Sequence, residues 1–448
     1  MAARGKARKC RWGNRRRQLE AQEHAAVLSL QTAARPGRRL FRSRPFERMM
    51  VKEDRRRVMS DGRGLAGPKE DCSAMARIVR VEVGRFEYDL VGEFKFFKAG
   101  LRPSIVVRLT DDNGVEGWGQ SVPVETWTYE TVESVETTLR HYLAPAVLGA
   151  DPSDLAAIHA RMDRAIRPSF SVGQPLCKAA VDLACYDLWG KHTGRSVSEL
   201  LGGARQRQVK LSWTVQSPTL ADAESQLALA RTRGYDSFNI KIGYPQTPDY
   251  DLQLVRTVCD FAPDGFHWAD ANTSYDLEIA LATAPRLADA GLKGLESPLP
   301  PNLIRGYQAL KRQGALPILM DEGIVSPVEA AEFIALEMFD GIAMKVARCG
   351  GLWNASRIMT LLQENDLLQF ASGLTDPDLS LAASIHLFAW AGANVPAALN
   401  GPQYIAGRGT TDPAFRANGD TIRVPTAPGL GITLDARAEE SLSVAAEA

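Results

Sequence analysis

Lys241, Asp270, Glu296, Asp321 and Lys345 follow one another at intervals of 29, 26, 25 and 24 positions, each near the end of a short apolar run. Such intervals suit one strand plus one helix. In a parallel (β/α)8 barrel of about 250 residues, catalytic groups emerge at the C-terminal ends of the strands. The order lysine, three carboxylates, lysine then places a divalent-cation site between two amines at one barrel mouth. Three oxygen anions on adjacent strands repel unless a hard cation neutralises them, and Mg2+ or Mn2+ prefers such ligands. The competing reading is structural, with strand-end carboxylates capping helices or pairing with arginine, and lysines held in ion pairs. Three carboxylates in succession, with lysine before and after, favour the metal.

The chemistry follows from the charges. Removing a proton next to a carboxylate builds a second negative charge on that group, an ene-diolate, and a divalent cation offsets that charge best in the transition state. A nearby cation also lowers a lysine towards the partly neutral state that a base needs near pH 7. Two lysines on opposite faces of one carbon can remove a proton on one side and return it on the other, inverting a stereocentre. Alternatively, one lysine acts as base while the other stabilises the enolate or assists a leaving group. Glu322, beside Asp321, is placed to orient ligands or pair with a lysine.

These residues need elements to hold them. In Phe238–Ile242, alternation puts Phe238, Ile240 and Ile242 on one face and Asn239 and Lys241 on the other. The same alternation surrounds Lys345. From Val209 the chain runs as strand–helix repeats, with strands expected at Val209–Val215, Ser237–Ile242, Phe266–Ala271, Gly294–Ser297, Pro317–Asp321, Gly341–Val346, Leu368–Ser372 and, more weakly, Ala397–Leu399. Helices are expected at Thr219–Thr232, Asp249–Phe261, Leu277–Ala290 and Pro327–Leu336. Ahead of this lies an α+β module: strands from Ile78–Val83, Ser104–Leu109 and Val115–Gly119, then helices over Tyr129–Leu148, Asp154–Ile166 and Leu176–His192. The predicted fold is therefore α/β, a (β/α)7β TIM-type barrel with an α+β capping domain, the alternative being an open doubly wound sheet. The expected division is a basic tail over 1–74, a cap over 75–205, a barrel over 206–404 and a closing segment, 405–448, that packs back on the cap.

Composition sets outer limits. The 448 residues carry 53 Lys+Arg and 53 Asp+Glu, with 45% hydrophobic and 24% charged, ordinary for a globular protein. No apolar run reaches the roughly 18 residues that would cross a membrane. Cys10, Cys72, Cys177, Cys185, Cys259 and Cys349 form no CxxC pair, which suits reduced thiols in a cytoplasmic protein. The zero net charge hides a basic first segment: residues 1–74 hold 20 Lys+Arg against 8 Asp+Glu, leaving 33 against 45 for the remainder. With little apolar periodicity, that segment reads as a disordered tail or as a start misassigned upstream of Met75. A nucleic-acid-gripping arm on a non-catalytic barrel is the remote alternative, and nucleic acid is not an expected partner.

With the five site residues, further stretches resemble the enolase superfamily, and within it the muconate-lactonizing subgroup, from about Ala76 to Arg437. Ala179–Ala184, Tyr186–Lys191 and Leu200–Gly203 resemble that family's passage from cap to barrel. Asp270-Ala271-Asn272, Leu295-Glu296-Ser297-Pro298 and Asp321-Glu322 match its ligand motifs. Lys345 followed by Cys349-Gly350-Gly351 matches its sixth-strand lysine, and Pro428–Gly431 its closing motif. The resemblance implies a cap whose loops close over the barrel mouth and choose a small carboxylate substrate. Here those loops are Leu90–Leu101, with Phe96 and Phe97, and Val122–Glu130, with Trp127. It also implies assembly into a homo-oligomer.

Two departures matter. The family's second-strand Lys-x-Lys has Asn239 in its first position, while the expected base, Lys241, is kept. The seventh strand ends Ser372-Gly373-Leu374-Thr375-Asp376 without histidine, which argues against an acid-sugar dehydratase of the mandelate-racemase subgroup. Asp376 is expected either as a polar group of the site or as a cap of the next helix. The leading expectation is a racemase, epimerase or cycloisomerase, with β-elimination by a dehydratase as the alternative.

Overall fold

The computed structural model describes residues 76–448, apart from 93–97, 169–171, 394, 406–410 and 412–414. The basic segment 1–74 and the two loop phenylalanines, Phe96 and Phe97, lie outside the described residues.

Three strands open the described chain: β1 (Ile78–Leu90), β2 (Gly100–Asp111) and β3 (Glu116–Ser121), each antiparallel to the next. The β2–β3 turn is held by Asp111, whose Oδ1 accepts the amides of Asn113 and Val115 at 2.9 and 2.8 Å. The helix expected over Tyr129–Leu148 begins later. Thr131 caps α1 (Val132–Thr138), which passes through a π-helical turn at Leu139–Leu143 into Ala144–Val147. The residues before it form a loop that carries Trp127 in a turn, the amides of Trp127 and Thr128 both donating to the Val124 carbonyl. α2 (Leu155–Ala165) and α3 (Pro175–Thr193) follow, and α3 is buried along almost its whole length. It lies directly on β3 because Gly117 and Gly119 present no side chain: a Cβ at Gly119 would run into the Ala180 carbonyl.

The barrel begins with a correction. Val209–Val215 is two strands rather than one. β4 (Gln208–Lys210) pairs antiparallel with a late segment of the chain, and only β5 (Trp213–Val215) enters the barrel. The Leu211 amide donates to Asp420 O at 2.6 Å, which keeps the first half of the run in that ribbon. Helix and strand then alternate through α4 (Leu220–Thr232), β6 (Phe238–Lys241), α5 (Pro248–Phe261), β7 (His267–Asp270), α6 (Leu277–Asp289), β8 (Leu295–Glu296), α7 (Ile304–Gln313), β9 (Ile318–Met320), α8 (Pro327–Ala335), β10 (Gly341–Met344), α9 (Leu352–Glu364), β11 (Leu368–Ala371) and α10 (Asp378–Ala391). Strands β5 to β11 form one parallel sheet in chain order. The expected eighth strand is reduced to two bridges, yet it closes the ring: Ala397 pairs with Leu211 and Ala398 with Ser372, both parallel.

The last segment divides between two partners. Its first strand, β12 (Thr421–Arg423), pairs with β4. The piece that joins the cap is β13 (Leu442–Glu447), antiparallel to β1, giving a sheet in the order β13-β1-β2-β3.

Among the described residues, two apolar cores result. The larger joins the helix layer to the cap. The smaller fills the barrel interior with Trp268, Leu319, Ala343, Phe370 and Ala398, and Trp268 meets Phe370 edge-on at 5.3 Å. That inner plug is the floor on which the strand-end residues stand.

Candidate active site

Parallel register sets the depth of the charged groups. Lys241 pairs with Asp270 across β6 and β7, and Asp270 with Glu296 across β7 and β8, so the three share one level. Asp321 and Lys345 follow directly after β9 and β10. All three carboxylates are buried, and one ligand oxygen from each lies within 4.8 Å of the others.

The amines reach this cluster from opposite sides of the ring. Lys241 Nζ donates to Asp270 Oδ2 at 2.5 Å, and Lys345 Nζ contacts Asp321 Oδ2. Asp270 also accepts the backbone and side-chain amides of Asn272 at 2.8 and 2.9 Å. Burial pushes the Asp270 carboxyl up, but Lys241 and Lys345 outweigh it and hold the group below the usual carboxylate range. Glu296 lies further from the amines. Burial and the neighbouring Asp270 charge push its carboxyl up to about 7. Glu322 is raised to about 7 by the same two causes.

The donor set fits a hard cation. Glu296 Oε2 accepts the Trp268 indole N–H at 2.8 Å, while Oε1 is buried without a hydrogen-bond partner. A buried orphan oxygen costs about 1–3 kcal/mol, a deficit that a cation removes. The oxygens converge from three adjacent strands, and their supports are polar, as Mg2+ ligation requires.

Backbone strain gathers at the same place. Asn272, Thr273, Ser297 and Thr375 all have positive φ, between 42° and 63°. Left-handed backbone is unfavourable for threonine, and such residues persist where the surroundings over-determine them, often at functional sites. At Ser297 the result is visible: its hydroxyl accepts the Asp321 amide at 3.1 Å and ties two of the carboxylate-bearing strands together.

Of the other residues read from sequence, Asn239, Asn272 and Trp127 line one pocket with Lys241, Asp321 and Lys345. Glu322 instead faces a second, larger cavity beside this pocket. Asp376 does not cap α10, which starts without a side-chain cap; its Oδ2 accepts the Leu374 amide at 3.0 Å, and its charge acts on Arg102 and Lys345 of the pocket.

Three residues at the site were not anticipated. Arg102 reaches the pocket from β2 and donates to the Leu374 carbonyl at 2.8 Å. Arg348 is buried, bonds the carbonyls of Ile324 and Ala343 at 3.0 Å each, and sets its third nitrogen against Asp321. Trp268 supports Glu296 from below. Period-two counting back from Asp270 would have placed Trp268 on the inward face; nothing in the sequence marks Arg102.

Comparison with known proteins agrees with this geometry. Residues 222–438 match the enolase C-terminal domain-like family, and residues 98–202 match the mandelate racemase / muconate lactonizing enzyme N-terminal domain. A chloromuconate cycloisomerase of Cupriavidus necator is 29% identical over 71% of this chain and 85% of its own length. An o-succinylbenzoate synthase of Geobacillus stearothermophilus is 31% identical over 75% of this chain and 87% of its own. The crystal structure of an N-succinyl Arg/Lys racemase from Bacillus cereus shares the fold with a TM-score of 0.76 at 24% identity, over 82% of this chain and 99% of that one. The chain therefore belongs to the enolase superfamily and, within it, to the muconate-lactonizing group of enzymes.

Proposed function

We propose that this enzyme removes the proton α to the carboxylate of a small organic acid and returns a proton to the same skeleton, as a Mg2+-dependent racemase, epimerase or cycloisomerase. The observation that carries this is the placement of Lys241 and Lys345. They stand four strands apart in an eight-membered ring, and each touches the acidic cluster.

Asp270, Glu296 and Asp321 would hold the cation, which when bound offsets the second negative charge that develops on the substrate carboxylate. Lys241 and Lys345 face one pocket from two sides, so one amine takes the proton at the α-carbon and the other delivers it to the opposite face. Asn272 keeps Asp270 oriented through its two donated hydrogen bonds. Trp127 lines the same pocket, and a substrate seated against it would displace water, which strengthens the charge interactions around it. A cytoplasmic setting is supported by Cys177, Cys185, Cys259 and Cys349, all free and buried. Among the described residues, no helix is long and apolar enough to cross a membrane.

The deciding experiment follows solvent deuterium into the α-carbon by NMR over a panel of carboxylates, with Mg2+ and again with EDTA. Interconversion of enantiomers that is lost in both Lys241→Ala and Lys345→Ala, with metal-dependent exchange kept only for the enantiomer facing the remaining lysine, supports inversion. A cyclisation or elimination product that still forms after loss of one lysine supports a one-base reaction instead. Absence of both exchange and Mg2+ binding overturns the proposal.

A further inference from the structure

Beside the charged pocket lies a cavity of about 520 Å³, bounded by the Trp127 loop, the N-terminus of α3 and the loops that follow β8 to β11. Its size falls in the range of roughly 300–1,000 Å³ used by small-molecule sites. Trp127 and Leu374 border both spaces, and Arg348 in the cavity wall also contacts Asp321. The two are therefore neighbouring compartments at one barrel mouth. The wall is mainly Trp127, Tyr129, Pro301, Val325, Phe333 and Leu374.

The charged groups on that wall are largely committed elsewhere. Glu130 accepts the amides of Leu176 and Cys177 at 2.8 and 3.1 Å. Glu329 contacts the Ser326 hydroxyl, and Arg348 has its three nitrogens on two carbonyls and a carboxylate. Glu322, next to Asp321 in sequence, also lines the cavity, and neither of its oxygens has a hydrogen-bond partner. Among the described residues of this wall, a second carboxylate on the substrate would find no uncommitted cation, and it would face Glu322 and Glu329.

We infer that the cavity receives the part of the substrate distal to the reacting carbon, and that this part is a bulky, uncharged apolar group, an aromatic ring or a branched alkyl chain. The inference rests on the reading of the barrel mouth as a carboxylate site. It adds the substrate class: an acid with one charged end and one large apolar end.

The test titrates the full-length, Mg2+-loaded protein with propanoate, 3-phenylpropanoate, glutarate and 5-aminopentanoate, by calorimetry or ligand-observed NMR. Burying one ring should make 3-phenylpropanoate bind about 10- to 100-fold more tightly than propanoate, with neither charged tail tighter than propanoate. Val325→Trp, which fills the cavity, should remove most of that preference and leave propanoate unchanged. Equal binding of the first two acids, tighter binding of glutarate or 5-aminopentanoate, or no binding of 3-phenylpropanoate overturns the inference, and the unsubstituted protein alone decides it. EDTA separates the two readings. A preference for the ring that persists while Mg2+ makes no difference upholds the cavity and sinks the metal–carboxylate site.

Discussion

Among the carboxylates that the described residues bury, two sets of three are treated in opposite ways. Around α3, Glu130 accepts the amides of Leu176 and Cys177. Asp182 accepts those of Leu352 and Trp353 and contacts His159 at 2.8 Å. Asp187 accepts the amides of Trp118 and Leu430, both at 2.8 Å, and pairs with Lys191 at 2.7 Å. These three fasten the Trp127 loop, α9 and the closing segment to one helix. At the barrel mouth, Asp270, Glu296 and Asp321 face one another, with amines at the margins and an orphan oxygen on Glu296. Burial alone therefore says little about a carboxylate's role. What differs is the donor set: backbone N–H groups saturate the structural trio, whereas the other trio keeps oxygens aimed at a shared point.

Activity should show the largest contrast. Lys345→Ala or Lys241→Ala removes an amine proposed to transfer the proton and should lower turnover by about 10²–10⁴-fold, measured as the rate of product formation. Neither substitution should change the unfolding midpoint as much as one in the α3 trio does. Metal affinity gives the next contrast. Glu296→Gln keeps the shape but removes a charge from the cluster, so Mg2+ affinity should fall by at least about tenfold, while the metal-free protein becomes harder to unfold in urea. Asp182→Ala should do the reverse. It strands two α9 amides, costs about 1–3 kcal/mol of stability, and leaves the Mg2+ titration unaltered. If Asp182→Ala weakens Mg2+ as strongly as Glu296→Gln, the separation of the two trios fails.

How much of this was legible in sequence follows the same division. The mouth was readable because a parallel barrel repeats one strand–helix unit, so the intervals from Lys241 to Lys345 carry spatial information. The α3 trio was not, because its partners are backbone amides far away in sequence: Asp182 meets Leu352 across 170 positions. Asp182 and Asp187 stood out only as part of a family-like stretch, and their reason is geometric. Gly351 must lack a side chain because a Cβ there would strike the Asp182 carboxylate, which links the Gly350-Gly351 motif to the cap helix. The eighth strand was faint because only Ala397 and Ala398 bridge, and β4 looked like barrel because its antiparallel partner lies beyond residue 420. Arg102 was invisible because a cation in an alternating strand normally reads as the solvent face.

The smallest effect concerns pH at the same seam. His386 on α10 accepts the Ser198 amide at 3.2 Å through Nδ1, and its Nε2 lies 3.2 Å from the Leu430 carbonyl. Burial pushes the imidazole down to about 4. Because the folded pKa lies below the ordinary value near 6.5, the unfolded chain takes up this proton first. The contribution is then fully present above about 6.5 and is lost as pH falls through about 4. His386→Gln keeps an amide oxygen and nitrogen but cannot titrate, so its urea midpoint should fall less steeply between pH 6.5 and 4 than that of the unsubstituted protein. Equal slopes would show that the imidazole takes up its proton as readily in the folded chain as in the unfolded one, and His386 would then leave the group of buried, backbone-satisfied residues that tie the barrel to the closing segment.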